Sequence, residues 1–312
     1  ADGDDLAQHL MARRAGQEAA DFGMPLAYAS ILGGSVTLIG TASNLIVSTF
    51  RFQSYGAPFR MFDYTAHGIV IVFTGVIVLF ICRICGLGPS MKKSVESISY
   101  MPDNGGSFPD LSPARSKKNN AVVLFTLIPA VIAAAGGMLH PSIGFGMTVI
   151  LWLAFGVLSG ENAVSSIHVP VILFLGSMLS LSSILDHTGA LTAATDLILP
   201  LTTALSPFPL ILLITLFTAL LANMIDNAVA AVIMAPLMIR LDLSGAVAVS
   251  PDALLMAVAA GASLGIVLPT HQAAIVSMES TQFSRKNFIR TGAAIALPAA
   301  ILASAVIYFV WL

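Results

Sequence analysis

Residues 24–50 are apolar and long enough to cross a bilayer, yet their middle reads Gly33-Gly34-Ser35-Val36-Thr37-Leu38-Ile39-Gly40-Thr41-Ala42-Ser43-Asn44. A helix that only had to sit in lipid gains nothing from glycine, hydroxyls and a carboxamide at its centre. Backbone released from helical hydrogen bonding inside a membrane persists only where protein or a wet cavity satisfies it. Broken helices of this kind hold ions and small anions at mid-membrane in secondary transporters. The competing reading is a small-residue face for close helix packing. Such a face has no use for Asn44 or for the hydroxyls of Ser35, Thr37, Thr41 and Ser43. Gly40, Thr41, Ser43 and Asn44 are therefore the first candidates for ion or substrate contact.

Composition fixes the class. The 312 residues are 57% hydrophobic and 10% charged, with a mean hydropathy of +0.90, far from the balance of a soluble domain. A net charge of −2, with no basic stripe, excludes a nucleic-acid partner. Cys82 and Cys85 form a lone CxxC with no second Cys or His pair nearby, too little for a metal or redox centre. Residues 1–23 are polar and lack the apolar core of a signal peptide. The chain reads as an integral membrane protein whose expected location is a bacterial inner membrane.

Hydropathy places candidate spans at 24–50 (broken), 66–87, 120–139, 142–159, 169–186, 208–239, 252–279 (broken) and 290–312. A single crossing needs about 20 residues. The stretch 208–239 is too long for one pass and carries Asn223, Asp226 and Asn227 at its middle, which suits a re-entrant hairpin with those residues at its tip. The chain divides into a polar segment 1–23, a first-repeat portion 24–87, a cytoplasmic linker 88–119 rich in Ser, Pro, Gly and Lys, and a second repeat 120–312. With the N-terminus inside and the hairpin entering and leaving from outside, eleven Lys and Arg lie inside and three (Arg51, Arg60, Arg240) outside. That bias supports the arrangement.

The two halves echo each other. Sliding the chain by 230 lays 24–47 on 254–277, and both are apolar helices interrupted by polar residues: Gly40–Asn44 in one, Pro269-Thr270-His271-Gln272 in the other. An aromatic linker and one plain apolar helix follow each. In the assigned topology the two copies start on opposite sides of the membrane. The fold class expected is thus an all-α, inverted-repeat secondary transporter with broken helices and a re-entrant hairpin. His67, His140, His168 and His187 stand near span ends and read as interfacial, Trp152 and Trp311 as packing or lipid anchors, and Glu161 as a loop residue.

Leu32-Gly33-Gly34 followed by Thr37–Val47 resembles the first broken helix of divalent anion:sodium symporters and related citrate-transporter-like permeases of the ion transporter superfamily. Met224-Ile225-Asp226-Asn227-Ala228 with Met234-Ala235-Pro236 resembles their second hairpin, and Phe288-Ile289-Arg290-Thr291-Gly292 the entry to their last helix. The resemblance covers most of 24–312. It implies a permease for a small anion, a di- or tricarboxylate or an inorganic oxyanion, coupled to sodium or protons. Sodium is the sole ion cofactor it implies. The partners implied are the anionic solute, membrane lipid and, at most, a second copy in a homodimer. The candidate set becomes Gly40, Thr41, Ser43, Asn44, Asn223, Asp226, Asn227, Thr270, His271 and Gln272. Where the family usually carries Ser-Asn-Thr at the hairpin tip, this chain has Asp226-Asn227-Ala228, and Ala274 stands where an Asn is usual. The family's first hairpin has no counterpart in 1–23, so a fragment or a truncated first half is expected.

A passive anion channel, or an inactive fragment of a permease, also uses polar loops. An intramembrane enzyme is disfavoured, because the chain has no Asp-rich prenyl-type motif, no GxSxG and no HExxH.

Overall fold

A computed structural model describes residues 20–84, 117–139, 141–167, 169–269, 274–275 and 285–312. All regular structure among them is helical, and they show no strand. The described residues within 1–90 and 170–312 form one compact unit and those within 91–169 a second. The linker assigned to 88–119 lies outside the described residues up to 116, and 117–119 open a helix. Thr270, His271 and Gln272 also lie outside them.

The smaller unit contains α4 (Lys117–Ala135), α5 (Pro141–Ala154) and the short α6 (Gly160–Ser165). There α4 packs on α5, and Trp152 donates its indole N–H to Thr126 Oγ1 at 2.8 Å. Glu161 is exposed in the first turn of α6.

In the larger unit, α1 (Ala20–Gly34) and α2 (Ala42–Tyr55) are the two arms of the first broken helix, and α3 (Thr65–Ile84) is the plain helix after it. The helix α7 (Val169–His187) leads into α8 (Ala190–Ala204), and α9 (Pro207–Met224) and α10 (Asn227–Leu243) make the hairpin. The second broken helix begins as α11 (Pro251–Ser263), and the chain closes with α12 (Arg285–Trp311). Helices α3, α9 and α12 are long and apolar enough to cross a membrane. Helix α8 escaped the hydropathy reading because it is short and diluted by Thr192, Thr195, Asp196, Pro200, Thr202 and Thr203.

Local chemistry sets the boundaries. Thr41 caps α2 from an extended backbone, and Gly56 ends it in the left-handed region at φ 76°, where a side chain would be strained. Ser250 caps α11, with Pro251 at the first helical position. Helix α11 is buried on every side from Ala253 to Ser263. Its alanines and Gly261 let α9 approach until the Thr215 carbonyl and Thr218 fill the space a Cβ would need. A helix apolar all round belongs at the centre. The outer face of α3 does the opposite and leaves Phe73, Ile77, Phe80 and Ile84 exposed to the bilayer.

The inverted repeat is visible in the packing. In the first repeat, Gly68 of α3 sits against the carbonyl of Ser35 and the Cα of Val36, in the break. In the second, Gly292 of α12 sits against the carbonyl of Ile266 and the Cα of Val267. A buried aromatic, Tyr64 or Phe288, stands four residues before each glycine. The directions are opposed. Tyr28 of α1 stacks on Phe288 with ring centroids 4.6 Å apart and donates to its carbonyl at 2.6 Å, whereas Trp311 meets Phe59 and Phe59 meets Tyr64. Thus α12 begins beside the middle of α1 and ends where α3 begins. The first broken helix runs from Tyr28 to Arg51; the second starts at Asp252, paired with Arg51, and runs back toward Gly292.

Candidate ion and solute site at the helix breaks

Residues 35–41 leave the helical ladder and close a tight loop. Gly34 and Gly40 touch backbone to backbone, so a Cβ on Gly40 would overlap the Gly34 carbonyl. Leu38 N–H reaches the Met61 carbonyl at 2.9 Å, and Thr65 Oγ1 donates to the Val36 carbonyl at 2.9 Å. Thr41 Oγ1 accepts from Asn44 N–H and shares a 2.8 Å bond with Ser43 Oγ. Asn44 is fully buried, and its Nδ2 donates to the Thr37 carbonyl at 2.9 Å. A carbonyl can only accept, so that contact fixes the amide orientation and turns Oδ1 away. Among the described residues, Oδ1 is buried without a partner. An orphaned buried acceptor costs about 1–3 kcal/mol, which a structural Asn would avoid. Gly40, Thr41, Ser43 and Asn44 are thus brought together, with Oδ1 uncommitted.

The hairpin tip and the second break form another cluster. Asn223 Nδ2 donates to the carbonyls of Ala219 (2.7 Å) and Leu264 (3.3 Å), while its Oδ1 accepts from the N–H groups of Val267 (2.7 Å) and Leu268 (3.0 Å). All four of its hydrogen-bonding valences go to backbone. Asn223 thereby staples the second break to the hairpin. Asp226 is exposed and caps α10, accepting from Ala228 N–H at 2.8 Å. Asn227 Oδ1 lies against Gly265, where a Cβ would collide with it. Among the described residues no hydrogen bond joins the two clusters.

An ion-paired clasp ties the two broken helices together at one end. Arg51 grips Asp252 through Nε (2.7 Å) and Nη2 (2.9 Å), donates to the Ala57 carbonyl, and stacks 4.6 Å over Phe59. The Asp252 bond holds the guanidinium above its ordinary value against the opposing effect of burial. Tyr55 donates to Asp242 at 2.7 Å, and burial, then that carboxylate, push its phenol up.

Two observations went unforeseen in the sequence. His67, expected at the interface, is 1% exposed, and both its ring nitrogens are without partners among the described residues. The residues 50–54, 183–196 and 236–244 enclose a cavity of about 790 Å³ that none of the candidate residues lines; Arg240 bonds Asp186 and Thr192 at its wall.

The citrate transporter family matches residues 8–261. The chain belongs to the citrate transporter family. It is also 39% identical over 54 residues to the uncharacterized transporter sll0640 of Synechocystis sp., a stretch that is 17% of this chain and 9% of that protein. The chain therefore spans less than a tenth of that relative's length in the matched region. Family membership and the apolar helices make this an integral membrane protein.

Proposed function

We propose that this citrate-transporter-family protein is a secondary active transporter that moves a small carboxylate-bearing or oxyanionic solute, citrate first among them, together with sodium ions or protons across the bacterial inner membrane. The free Asn44 Oδ1 carries the reading. The same turn carries the Thr41 and Ser43 hydroxyls, and the Asn44 side chain is itself fully buried. These are neutral oxygen ligands of the kind a hard cation takes, and the Asn44 oxygen, which can only accept, suits a cation rather than an anion. Thr37, Thr41, Ser43 and Asn44 would hold a sodium ion, which would supply positive charge for the co-transported anion. Asp226 supplies a carboxylate for the coupling cation at the hairpin tip, in place of the family's usual serine. The antiparallel repeat supports alternating access over a passive pore, since it offers two related arrangements of one fold.

Uptake of labelled citrate into proteoliposomes under a sodium gradient, a pH gradient and no gradient tests this. Accumulation above the outside concentration under one gradient is expected. Downhill flux alone would make the protein a channel, and no flux of citrate, succinate or phosphate would contradict the reading.

A further inference from the structure

The buried imidazole of His67 has no structural use for its nitrogens. A neutral imidazole presents one N–H donor and one lone pair, and neither meets a partner among the described residues. Its ring neighbour is Tyr64, with centroids 6.0 Å apart, and Tyr64 donates to the Asn44 carbonyl at 2.9 Å. The next residue, Gly68, lies against the break at Ser35 and Val36. His67 thus occupies the turn of α3 that carries the first break. The repeat supplies an internal control. The register that pairs Tyr64 with Phe288 and Gly68 with Gly292 pairs His67 with Thr291, which is also buried. The position accepts a short hydroxyl side chain in one repeat and holds a long one with orphaned nitrogens in the other.

Resting on the anion-transport reading above, we propose that His67 is a solute-binding residue of the first break, its ring N–H donating to a carboxylate of the transported anion. The division of labour follows from the groups left over. Asn44 offers an acceptor, suited to the cation, while His67 offers an N–H donor that no other group takes up among the described residues. A bound carboxylate would then lie beside the cation that neutralises it. Burial strengthens such a bond, because no water competes for the imidazole.

Three substitutions at His67 test this, read by citrate uptake and by the melting temperature of the purified protein with and without citrate. His67→Phe keeps the ring and removes the orphaned atoms, so the citrate-free melting temperature should hold or rise. The same variant should raise KM for citrate at least tenfold and lose the shift that citrate gives the wild type. His67→Thr, the residue of the other repeat, should behave likewise. His67→Gln, which keeps an N–H donor, should stay within about threefold of wild-type KM. Wild-type KM in the Phe and Thr variants would overturn the assignment and leave the transport reading standing. A wild type that neither transports nor is stabilised by citrate, succinate or phosphate would overturn both.

Discussion

The two breaks are built to the same plan and spend their polar groups in opposite ways. Each is pressed against a glycine of the following helix, Gly68 or Gly292. At the second break, the needs of Val267, Leu268 and Leu264 are met by one residue from another element, Asn223, with nothing left over. At the first, Thr41, Ser43 and Asn44 come from the broken helix itself, and the Asn44 oxygen is left free. The same residue type is a staple in one place and leaves an acceptor free in the other. What separates them is the count of satisfied valences, which burial alone would not show.

The comparison breaks most visibly at Asn223. Asn223→Ala orphans the Leu264 carbonyl and the N–H groups of Val267 and Leu268, at about 1–3 kcal/mol each. Such a variant should fail to elute as a monodisperse species on size-exclusion chromatography. A well-folded Asn223→Ala protein would dissolve the contrast. Next in size is Gly40→Val, whose side chain meets the Gly34 carbonyl. It should unfold at a clearly lower temperature than the wild type, whereas Gly33→Ala, facing open space, should match it. The clasp joining the breaks is partly exposed, so Arg51→Ala should cost about 1–3 kcal/mol through its bidentate bond and its stacking. Arg51→Lys should recover only part of that stability in a thermal unfolding assay. Smallest is Asp226→Asn: Asn caps as well as Asp, so stability should move by less than about 0.5 kcal/mol. Uptake by that variant should lose its dependence on the driving ion, and unchanged coupling would confine Asp226 to capping.

Much of this was legible in the sequence, because the membrane punishes irregular backbone. Gly40–Asn44 showed as a polar interruption in an apolar run, and the length of 208–239 with Asn223 and Asp226 at its middle announced a hairpin. The hidden part depended on partners distant in sequence. The bonds from Asn223 to Leu264 and Val267 were not legible because those partners lie more than 40 residues away. His67 looked interfacial because only the register of α3 against the break shows that it is buried. Helix α8 fell below the hydropathy of a span. The Gly68 and Gly292 correspondence needed the fold, since two glycines mean little until the same stretch of broken backbone is seen against each.

The claim that the first break is the working site rests on Asn44, and the direct test compares initial citrate uptake by Asn44→Ala and wild-type protein reconstituted at equal density. Removing the carboxamide costs one bond to the Thr37 carbonyl, about 1 kcal/mol, so the variant should insert and elute as the wild type does. Uptake should fall at least a hundredfold. Wild-type uptake by a normally inserted Asn44→Ala protein would contradict the account.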